Sequence, residues 1–295
     1  MDIRSIRYFL EVAQELNITR AAENLHMAQP PLSRQIQLLE QELGVKLFDR
    51  EKRHLQLTEE GMILKHRGEQ ILTLMEKTEL ELHEFENGIS GTLYIGSVEG
   101  SGPWLLARWI DDFCRKYPDV RYNLWNGSSD DATARLTKGL CDLALIMEPF
   151  DNEMLGSIRV SSEPWAAMIP GNHPLALQEG DSVDLKELVG HPLIIPSRKS
   201  RSREIRGWFQ KIGDEPTILC ELSNYLNAFA LVQKGVGITI FPLSAGMDMR
   251  NEAVVMKRIV NPEHIANYVL VWDNRRKLSA AAEKFVEYVQ FEWRG

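Results

Sequence analysis

Residues 18–39 read ITRAAENLHMAQPPLSRQIQLL, and this stretch decides the fold of the N-terminal part of the chain. Asn17, a good N-cap, precedes it, and apolar residues then recur at helical spacing. A second helix begins at Gln29, where the two following prolines suit a first helical turn, and Gly44 ends it. Two short helices joined by a tight link predict a helix-turn-helix over about residues 18–37.

The flanking sequence completes a small domain. Before the motif, Ile3, Ile6, Phe9, Leu10 and Ala13 share one face of a predicted helix. After it, a charged tip at residues 49–54 separates two short apolar runs and predicts a β-hairpin. Residues 1–58 therefore have the outline of a winged helix-turn-helix.

A long helix is predicted over residues 59–88, with Thr58 as its cap and two glutamates in its first turn. Its apolar residues recur at alternating spacings of four and three, and they form a heptad seam: Ile71, Met75, Thr78, Leu82 and Phe85. A single helix cannot bury such a seam. The seam packs either on its own domain or, as we expect, against a second copy in a dimer.

Strand-like and helix-like segments alternate from residue 89 to the C-terminus, which favours parallel sheets built from βαβ units. The strands are expected at 92–98, 120–125, 142–147, 164–169, 193–196, 217–222 and 238–241, and the helices at 103–117, 130–138, 202–212, 225–234 and 278–293. Segments 163–170 and 266–273 are expected to cross between two lobes. Lobe I would hold about residues 89–162 and 266–295, and lobe II about 163–265. The fold class is thus α+β and multidomain.

Composition excludes several classes of protein. The chain has 295 residues, of which 44% are hydrophobic and 26% charged, so it is neither disordered nor collagen-like. No uncharged apolar run reaches the roughly 18 residues that span a bilayer, and the charged start does not fit a signal peptide. The three cysteines are too few and too scattered for a disulfide framework. We expect a cytoplasmic protein without a membrane partner.

The net charge of −8 is unevenly distributed. Residues 1–58 are neutral, residues 59–88 carry −5, and residues 89–295 carry −3. An acidic chain does not favour non-specific binding to nucleic acid. Any DNA contact must come from a segregated basic face on the first segment.

The first sixty residues resemble, without a gap, the N-terminal domain of LysR-type transcriptional regulators. The resemblance rests on the following segments: 7–10 (RYFL), 19–22 (TRAA), 28–36 (AQPPLSRQI), 38–40 (LLE), 43–44 (LG), 47–50 (LFDR) and 57–61 (LTEEG). The remainder is similar to the family's architecture, a linker helix followed by a periplasmic-binding-protein-like effector domain of two α/β lobes. Residues 231–242 look like a recurrent family segment.

The resemblance implies a sequence-specific DNA-binding regulator without catalytic activity, cofactor or metal, whose activity a small molecule modulates. Its implied partners are double-stranded DNA, further copies of itself in a dimer or tetramer, the effector and RNA polymerase. Two other classes stay open at this point. One is a solute-binding module whose N-terminal helices only contact partners. The other is an enzyme on the two-lobe scaffold, although the sequence has no Gly-rich phosphate loop or nucleophile elbow.

A recognition helix reads bases with its N-terminal residues, which enter the major groove first. Arginine can bind guanine through two hydrogen bonds, and glutamine can bind adenine in the same way. The expected DNA-binding residues are Thr19, Arg20, Gln29, Pro30, Ser33, Arg34 and Gln37, with Arg50, Lys52 and Arg53 on the wing tip. The alternative is that these polar side chains are merely solvated.

Ligands of two-lobe α/β domains lie beyond the carboxyl ends of the strands. Small residues and helix starts follow these predicted strands, and helix N-termini with Ser, Gly and Arg favour anions. We therefore expect a small organic acid, with Ser101, Ser128 and Arg198 as donors; the alternative is ordinary caps and turns. The full expected set is Ser97, Glu99, Gly100, Ser101, Gly127, Ser128, Glu148, Ser197, Arg198, Asn224 and Phe241.

The cysteines and histidines predict no second site. Cys114, Cys141 and Cys220 could form a peroxide sensor, as in one branch of this family, but buried structural thiols are the expected reading. The histidines at 173, 191 and 264 share no spacing typical of metal ligands.

Overall fold

The chain folds into two compact units, Met1–Glu86 and Asn87–Gly295. The structure is a computed structural model, and it describes residues 1–49, 55–83, 89–99, 102–150, 153–245 and 253–293. No helix in these ranges is long and apolar enough to cross a membrane.

The first unit contains three short helices, a two-stranded wing and one long helix. Its elements are α1 (Ile3–Glu15), α2 (Ile18–Asn24), α3 (Gln29–Leu43), β1 (Phe48–Asp49), β2 (Gln56–Leu57) and α4 (Glu59–His83). Their apolar faces form one core in which Phe9, Leu32 and Ile36 are fully buried. The strands β1 and β2 pair antiparallel, with Phe48 opposite Leu57. The winged helix-turn-helix expected from the sequence is confirmed.

The helix ends follow the predicted caps. Asn17 Oδ1 accepts from the backbone N–H groups of Thr19 and Arg20, at 2.9 and 3.2 Å. Thr58 Oγ1 accepts from the N–H of Gly61 at 2.9 Å and donates to the carbonyl of Lys46 at 2.7 Å. A Cβ at residue 61 would lie only 2.2 Å from the carbonyl oxygen of Leu47, so glycine is required there. These contacts fix the start of α4 beside β1.

A buried carboxylate joins α3 to the wing. Glu40 is only 3% exposed, and its Oε1 accepts from the backbone N–H groups of Leu47 and Phe48 at 2.9 and 3.3 Å. Buried amides without an acceptor are costly, and the tight turn after Gly44 offers these two no acceptor. The Glu40 carboxylate supplies it. Sequence periodicity gave no sign of this role.

The second unit is a two-lobe α/β domain. Its strands are β3 (Gly91–Val98), β4 (Val120–Gly127), β5 (Leu143–Met147), β6 (Leu155–Pro170), β7 (Ser182–Asp184), β8 (Leu193–Pro196), β9 (Ile218–Leu222), β10 (Ile238–Pro242), β11 (Val254–Val260) and β12 (Ile265–Asp273). Its helices are α5 (Gly102–Lys116), α6 (Ser129–Thr137), α7 (Pro174–Leu177), α8 (Lys199–Lys211), α9 (Tyr225–Gln233) and α10 (Ala280–Glu287). A π-helical turn, Tyr288–Glu292, follows α10.

The strands follow the order β4-β3-β5-β12-β6-β10-β8-β9, with β11 and β7 attached beside β6. In lobe I, β3 pairs parallel with β4 and β5, whereas β12 runs antiparallel to β5. In lobe II, β8 pairs parallel with β9 and β10. The two lobes and their parallel strands confirm the sequence-based fold.

Strand β6 joins the lobes. Its first part, from Leu155 to Pro164, pairs with β12, and from Trp165 onward it pairs with β10 and β11. The crossing therefore falls at residues 164–165, inside the segment expected from the sequence. The first half of β6 and the strands β7, β11 and β12 were not expected. The crossing expected at 266–273 is wrong, because this segment forms β12, which pairs with β5 and the first part of β6 inside lobe I. The final helix expected at 278–293 is divided between α10 and the π-helical turn.

Candidate nucleic-acid interface and ligand cleft

The expected DNA-reading residues lie on the exposed side of α3. Gln29, Pro30, Arg34 and Gln37 are exposed and Ser33 is half-buried, while the opposite side of the helix is buried in the core. Within the described ranges, Arg34 and Gln37 make no hydrogen bond or ion pair, so their donors can reach a ligand. The N-cap residue Ala28 gives α3 no side-chain cap.

Two further expected contacts lie at the start of α2. Thr19 and Arg20 are exposed there, with their backbone amides held by Asn17. The wing-tip residues Arg50, Lys52 and Arg53 lie outside the described residues. The described part of the interface therefore consists of the start of α2 and the exposed side of α3.

The expected seam on α4 is exposed in its described part. The side chain of Ile71 is 36% exposed, Met75 is half-buried, and the exposed Thr78 donates to the carbonyl of Leu74. Leu74 and Ile63, which the sequence analysis did not select, are 45% and 64% exposed. The side chain of Leu82 and all of Phe85 lie outside the described residues. An exposed apolar surface on an otherwise charged helix is typical of a surface that packs against another helix.

A cleft of about 650 Å³ lies between the lobes, beyond the carboxyl ends of the strands. This volume is typical of small-molecule sites. Seven of the expected residues line it: Glu99, Gly127, Ser128, Ser197, Arg198, Asn224 and Phe241. Asp130, Asp131, Lys199, Arg201 and Tyr225 also line it, although the sequence analysis did not select them.

The other expected effector residues are placed differently. Ser97 is fully buried, donates to the carbonyl of Val98, and is not part of the cleft lining. The Glu148 carboxylate is also outside the lining and binds Arg159 at 2.9 Å. Gly100 and Ser101 lie outside the described residues.

An Arg–carboxylate pair bridges the two walls of the cleft. Arg198, the N-cap residue of α8 in lobe II, donates from Nε to Asp130 Oδ2 at 2.6 Å and from a terminal nitrogen to the other oxygen. Asp130 lies in the first turn of α6 in lobe I. The geometry is bidentate, which makes this type of ion pair strong and directional. The expected cation is thus engaged by the chain's own carboxylate.

A second carboxylate of lobe I reaches across to α9. Glu99 Oε2 accepts from the backbone N–H of Tyr225 at 3.0 Å, and Oε1 accepts from Asn224 Nδ2 at 3.4 Å. Negative charge is favourable at a helix N-terminus because the amide dipoles point toward it. Asn224 itself caps α9 through its Oδ1, as its position before the helix predicts. Glu99 and Asp130 together link the lobes.

The hydroxyl of Ser128 is also committed. It donates to Asp131 Oδ2 at 2.5 Å and accepts from the Asp131 backbone N–H at 3.1 Å, as an N-cap of α6. The neighbouring Ser129 is buried and accepts from the N–H of Met147 at 3.2 Å. Both located donors of the sequence-based hypothesis, Ser128 and Arg198, therefore already bind an aspartate.

Arg201 places a second, deeply buried cation against the cleft. It is 6% exposed, lies 4.9 Å from the centre of the Trp165 ring, and pairs with Glu204. It also donates to the carbonyl of Glu148 in lobe I at 3.3 Å. Burial lowers the pKa of the Arg201 guanidinium, and the charge of Arg198 lowers it further, while Glu204 opposes both effects. An arginine remains charged under all these influences.

A row of aromatic rings in lobe II begins at Trp165, the ring that Arg201 contacts. Trp165 packs edge-on against Trp208 at 5.2 Å, and Trp208 stacks face to face on His264 at 3.9 Å. Trp165 also donates its backbone N–H to the carbonyl of His264, at the crossing of the lobes. Burial lowers the pKa of His264 to about 4, and the charge of Lys211 acts in the same direction. Burial and Lys211 thus favour the neutral imidazole of His264.

The three cysteines form no disulfide with one another. Cys141 is buried, and Cys114 and Cys220 are half-buried. His173 and His191 contact each other edge to face at 4.7 Å. The described residues contain no group of three His, Cys, Asp or Glu side chains that could hold a metal.

Comparison with protein families matches both units. The model of the LysR substrate binding domain matches residues 86–294. The model of the bacterial regulatory helix-turn-helix proteins of the lysR family matches residues 3–62. Together the two matches cover nearly the whole chain.

Individual relatives agree with these matches. The HTH-type transcriptional regulator BsdA of Bacillus subtilis (strain 168) is 30% identical over 294 residues, which are 97% of this chain and 99% of BsdA. The crystal structure of CbnR, a LysR family transcriptional regulator, superposes with a TM-score of 0.81 at 23% identity, covering 100% of both chains. CbnR complexed with its target DNA gives a TM-score of 0.79 at 23% identity, covering 98% of this chain and 99% of CbnR. At that identity the likeness shows the fold.

Proposed function

We propose, from the premise that this chain belongs to the LysR family of bacterial transcriptional regulators, that its effector is a small organic acid bound between the two lobes. Membership makes the chain a DNA-binding transcriptional regulator with a substrate-binding domain. Its relatives are regulators and not enzymes. The chemical class of the effector and the route from the cleft to DNA are the proposed parts.

The observation that carries the proposal is the cationic wall of lobe II. Arg198, Lys199 and Arg201 all line the cleft, at the start of α8. Arg198 is only 17% exposed, so its charge must be matched by an anion. Planar guanidinium groups bind carboxylates through two parallel hydrogen bonds, which favours an acid over a neutral ligand. A cleft of about 650 Å³ has room for a small organic acid.

The DNA-reading part of the proposal assigns α3 to the major groove. Gln29, Pro30, Ser33, Arg34 and Gln37 would face the bases, and Thr19 and Arg20 would bind phosphates at the start of α2. The exposure of these side chains supports the assignment, as does the Arg34 guanidinium, which has no partner among the described residues. Arg50, Lys52 and Arg53 would extend the contact along the backbone.

The assembly is proposed to be a homodimer through α4, and two dimers would give a tetramer. The exposed apolar side chains on α4, such as Ile71 and Leu74, support this pairing. A dimer would read two half-sites related by two-fold symmetry. The regulator would act in the cytoplasm, with RNA polymerase as its partner at the promoter.

The experiment is titration calorimetry of the full chain with acetate, succinate and benzoate, each compared with its neutral amide. We expect at least one acid to bind and its amide to bind at least about tenfold more weakly, since the amide cannot pair with a buried guanidinium. Equal binding of acid and amide would contradict the proposed ligand class. Binding of none of the acids would contradict it as well.

A further inference from the structure

We propose that Asp130 determines how tightly the cleft binds acids, because its carboxylate occupies the position on Arg198 that a ligand carboxylate takes. This inference rests on the proposed function, in which the cleft binds a small organic acid. The sequence analysis did not select Asp130. In the ligand-free protein Asp130 acts as an internal competitor, and binding is an exchange of one carboxylate for another.

The two partners of this pair differ strongly in exposure. The side chain of Arg198 is 17% exposed, whereas that of Asp130 is 66% exposed. A mostly buried guanidinium loses much of its hydration and needs an anion beside it. The exposed Asp130 carboxylate regains its hydration when it turns into water, so the cost of breaking the pair falls on Arg198, and a ligand carboxylate on Arg198 offsets that cost. Asp130 can therefore leave the pair while Arg198 stays in place.

The neighbouring charges favour such an exchange. Arg198 is close enough to Arg201 for its charge to lower the pKa of that second guanidinium. Lys199 is exposed on the same wall and has no hydrogen-bond or ion-pair partner among the described residues. Arg198 and Arg201 therefore repel each other, and this repulsion would grow if Asp130 left alone. The negative charge of an acid that replaces Asp130 on Arg198 offsets it.

The same pair holds the lobes together, because Asp130 belongs to α6 of lobe I and Arg198 to α8 of lobe II. A ligand that takes over Arg198 removes one of the contacts between the lobes. The contacts from Glu99 to the N–H of Tyr225 and from Arg201 to the carbonyl of Glu148 remain. Exchange at Arg198 therefore also changes what holds the cleft closed.

The test compares the wild type with Asp130→Asn in calorimetric titrations with acetate, succinate and benzoate. Removal of an internal competitor raises the apparent affinity by the inverse of the fraction of molecules in which the site is free. We expect Asp130→Asn to bind at least one of these acids about fivefold more tightly or better. The neutral amides should gain nothing.

Asp181→Asn is the matched control. Asp181 also pairs with an arginine, since both of its carboxylate oxygens accept from one terminal nitrogen of Arg258 at 3.0 Å, and it is likewise exposed, but neither residue lines the cleft. Its substitution removes the same charge from the chain and should change acid affinity by less than about twofold. A gain in this control equal to that of Asp130→Asn would overturn the proposal, since general charge would then explain both.

The Arg198→Gln background separates competition from local repulsion. If Asp130 acts by occupying Arg198, adding Asp130→Asn to Arg198→Gln gives no gain in acid affinity. A gain that persists in this background would overturn the proposal. Equal binding of an acid by the wild type and Asp130→Asn would overturn it too, while leaving the proposed function in place. Binding of no acid by either protein would overturn both.

Discussion

In the proposed function, single side chains of α3 decide how this regulator reads DNA. Arg34 is exposed, lies one residue beyond the half-buried Ser33, and has no partner within the described ranges. An unpaired guanidinium near the start of a recognition helix can reach a guanine with two hydrogen bonds. Leu32 and Ile36 are buried on the opposite side, which fixes the direction in which Arg34 points.

Arg34→Ala should cost about 1–3 kcal/mol of DNA-binding free energy and relax preference at one base position. The measurement is the affinity for the preferred duplex and for its single-base variants. Gln41→Ala, at an exposed position near the end of α3, is the control and should leave affinity unchanged. A uniform loss across all sequences would instead identify Arg34 as a phosphate contact.

His264 should make the second unit less stable in acid. Its pKa is lowered from 6.5 to about 4 in the fold, so the unfolded chain binds a proton first as the pH falls. The stabilisation from the neutral ring is present above pH 6.5 and is lost progressively toward pH 4. The ring is only partly buried, so we expect a loss of order 1–2 kcal/mol.

His264→Phe keeps a flat ring on Trp208 and cannot titrate, so it should retain stability between pH 6.5 and 4 where the wild type loses it. All seven tryptophans lie in residues 89–295, and their fluorescence therefore follows the unfolding of this unit alone. His66→Gln, at an exposed position on α4, is the control. Parallel pH curves for the wild type and His264→Phe would contradict the assignment.

Local residue roles were predictable, and long-range pairs were not. Asn17 and Thr58 were expected to cap helices because a cap acts on amides two or three residues away. Asp130 and Arg198 are separated by 68 residues. Nothing in either neighbourhood indicates the other, and closure of the lobes alone brings them together. Arg201 was missed for the same reason, since its partners Trp165 and Glu148 lie in other elements.

At the scale of elements, the sequence predicted the strands that have an unbroken apolar run and missed those in which apolar and polar residues are mixed. Strand β5 was expected because Leu143–Met147 is an unbroken apolar run, which is typical of a strand buried on both faces. The first half of β6 was missed because exposed polar residues, such as Arg159 and Ser162, interrupt its apolar residues. Strand β11 was missed because it contains a charged residue, Lys257. This lysine is nevertheless fully buried, and its Nζ donates to the carbonyl of Gln178 at 2.6 Å.

The seam of α4 gives the prediction at this scale. Ile71→Asp should convert a dimer into monomers, because a charge placed in a helix–helix seam must be desolvated without a partner. Sedimentation velocity measures the change. The fold should survive, since Ile71 is 36% exposed in the single chain. Glu76→Gln, at an exposed position off the seam, is the control and should stay dimeric. An unchanged sedimentation profile for Ile71→Asp would refute pairing through this seam.

For the whole molecule, two lobes share one long strand, and the ligand cleft lies where their strands end. The sequence indicated the two lobes and the crossing near residue 164, since short strands alternated with helices on both sides. Seven of the expected cleft residues line the cavity. The sequence could not show that Arg198 would already bind Asp130, because that contact depends on how the lobes close. Acid binding at Arg198 is therefore connected to a change in the contacts between the lobes.

The most direct test of the central claim is selection of duplexes from a random DNA pool at about 150 mM salt, with the free protein and with a bound acid. We expect enrichment of a two-fold symmetric motif, together with a change in affinity or half-site spacing when the acid is present. Enrichment that is identical with and without an acid bound in the cleft would contradict ligand control. The absence of any enriched motif in both selections would contradict sequence-specific reading by α3.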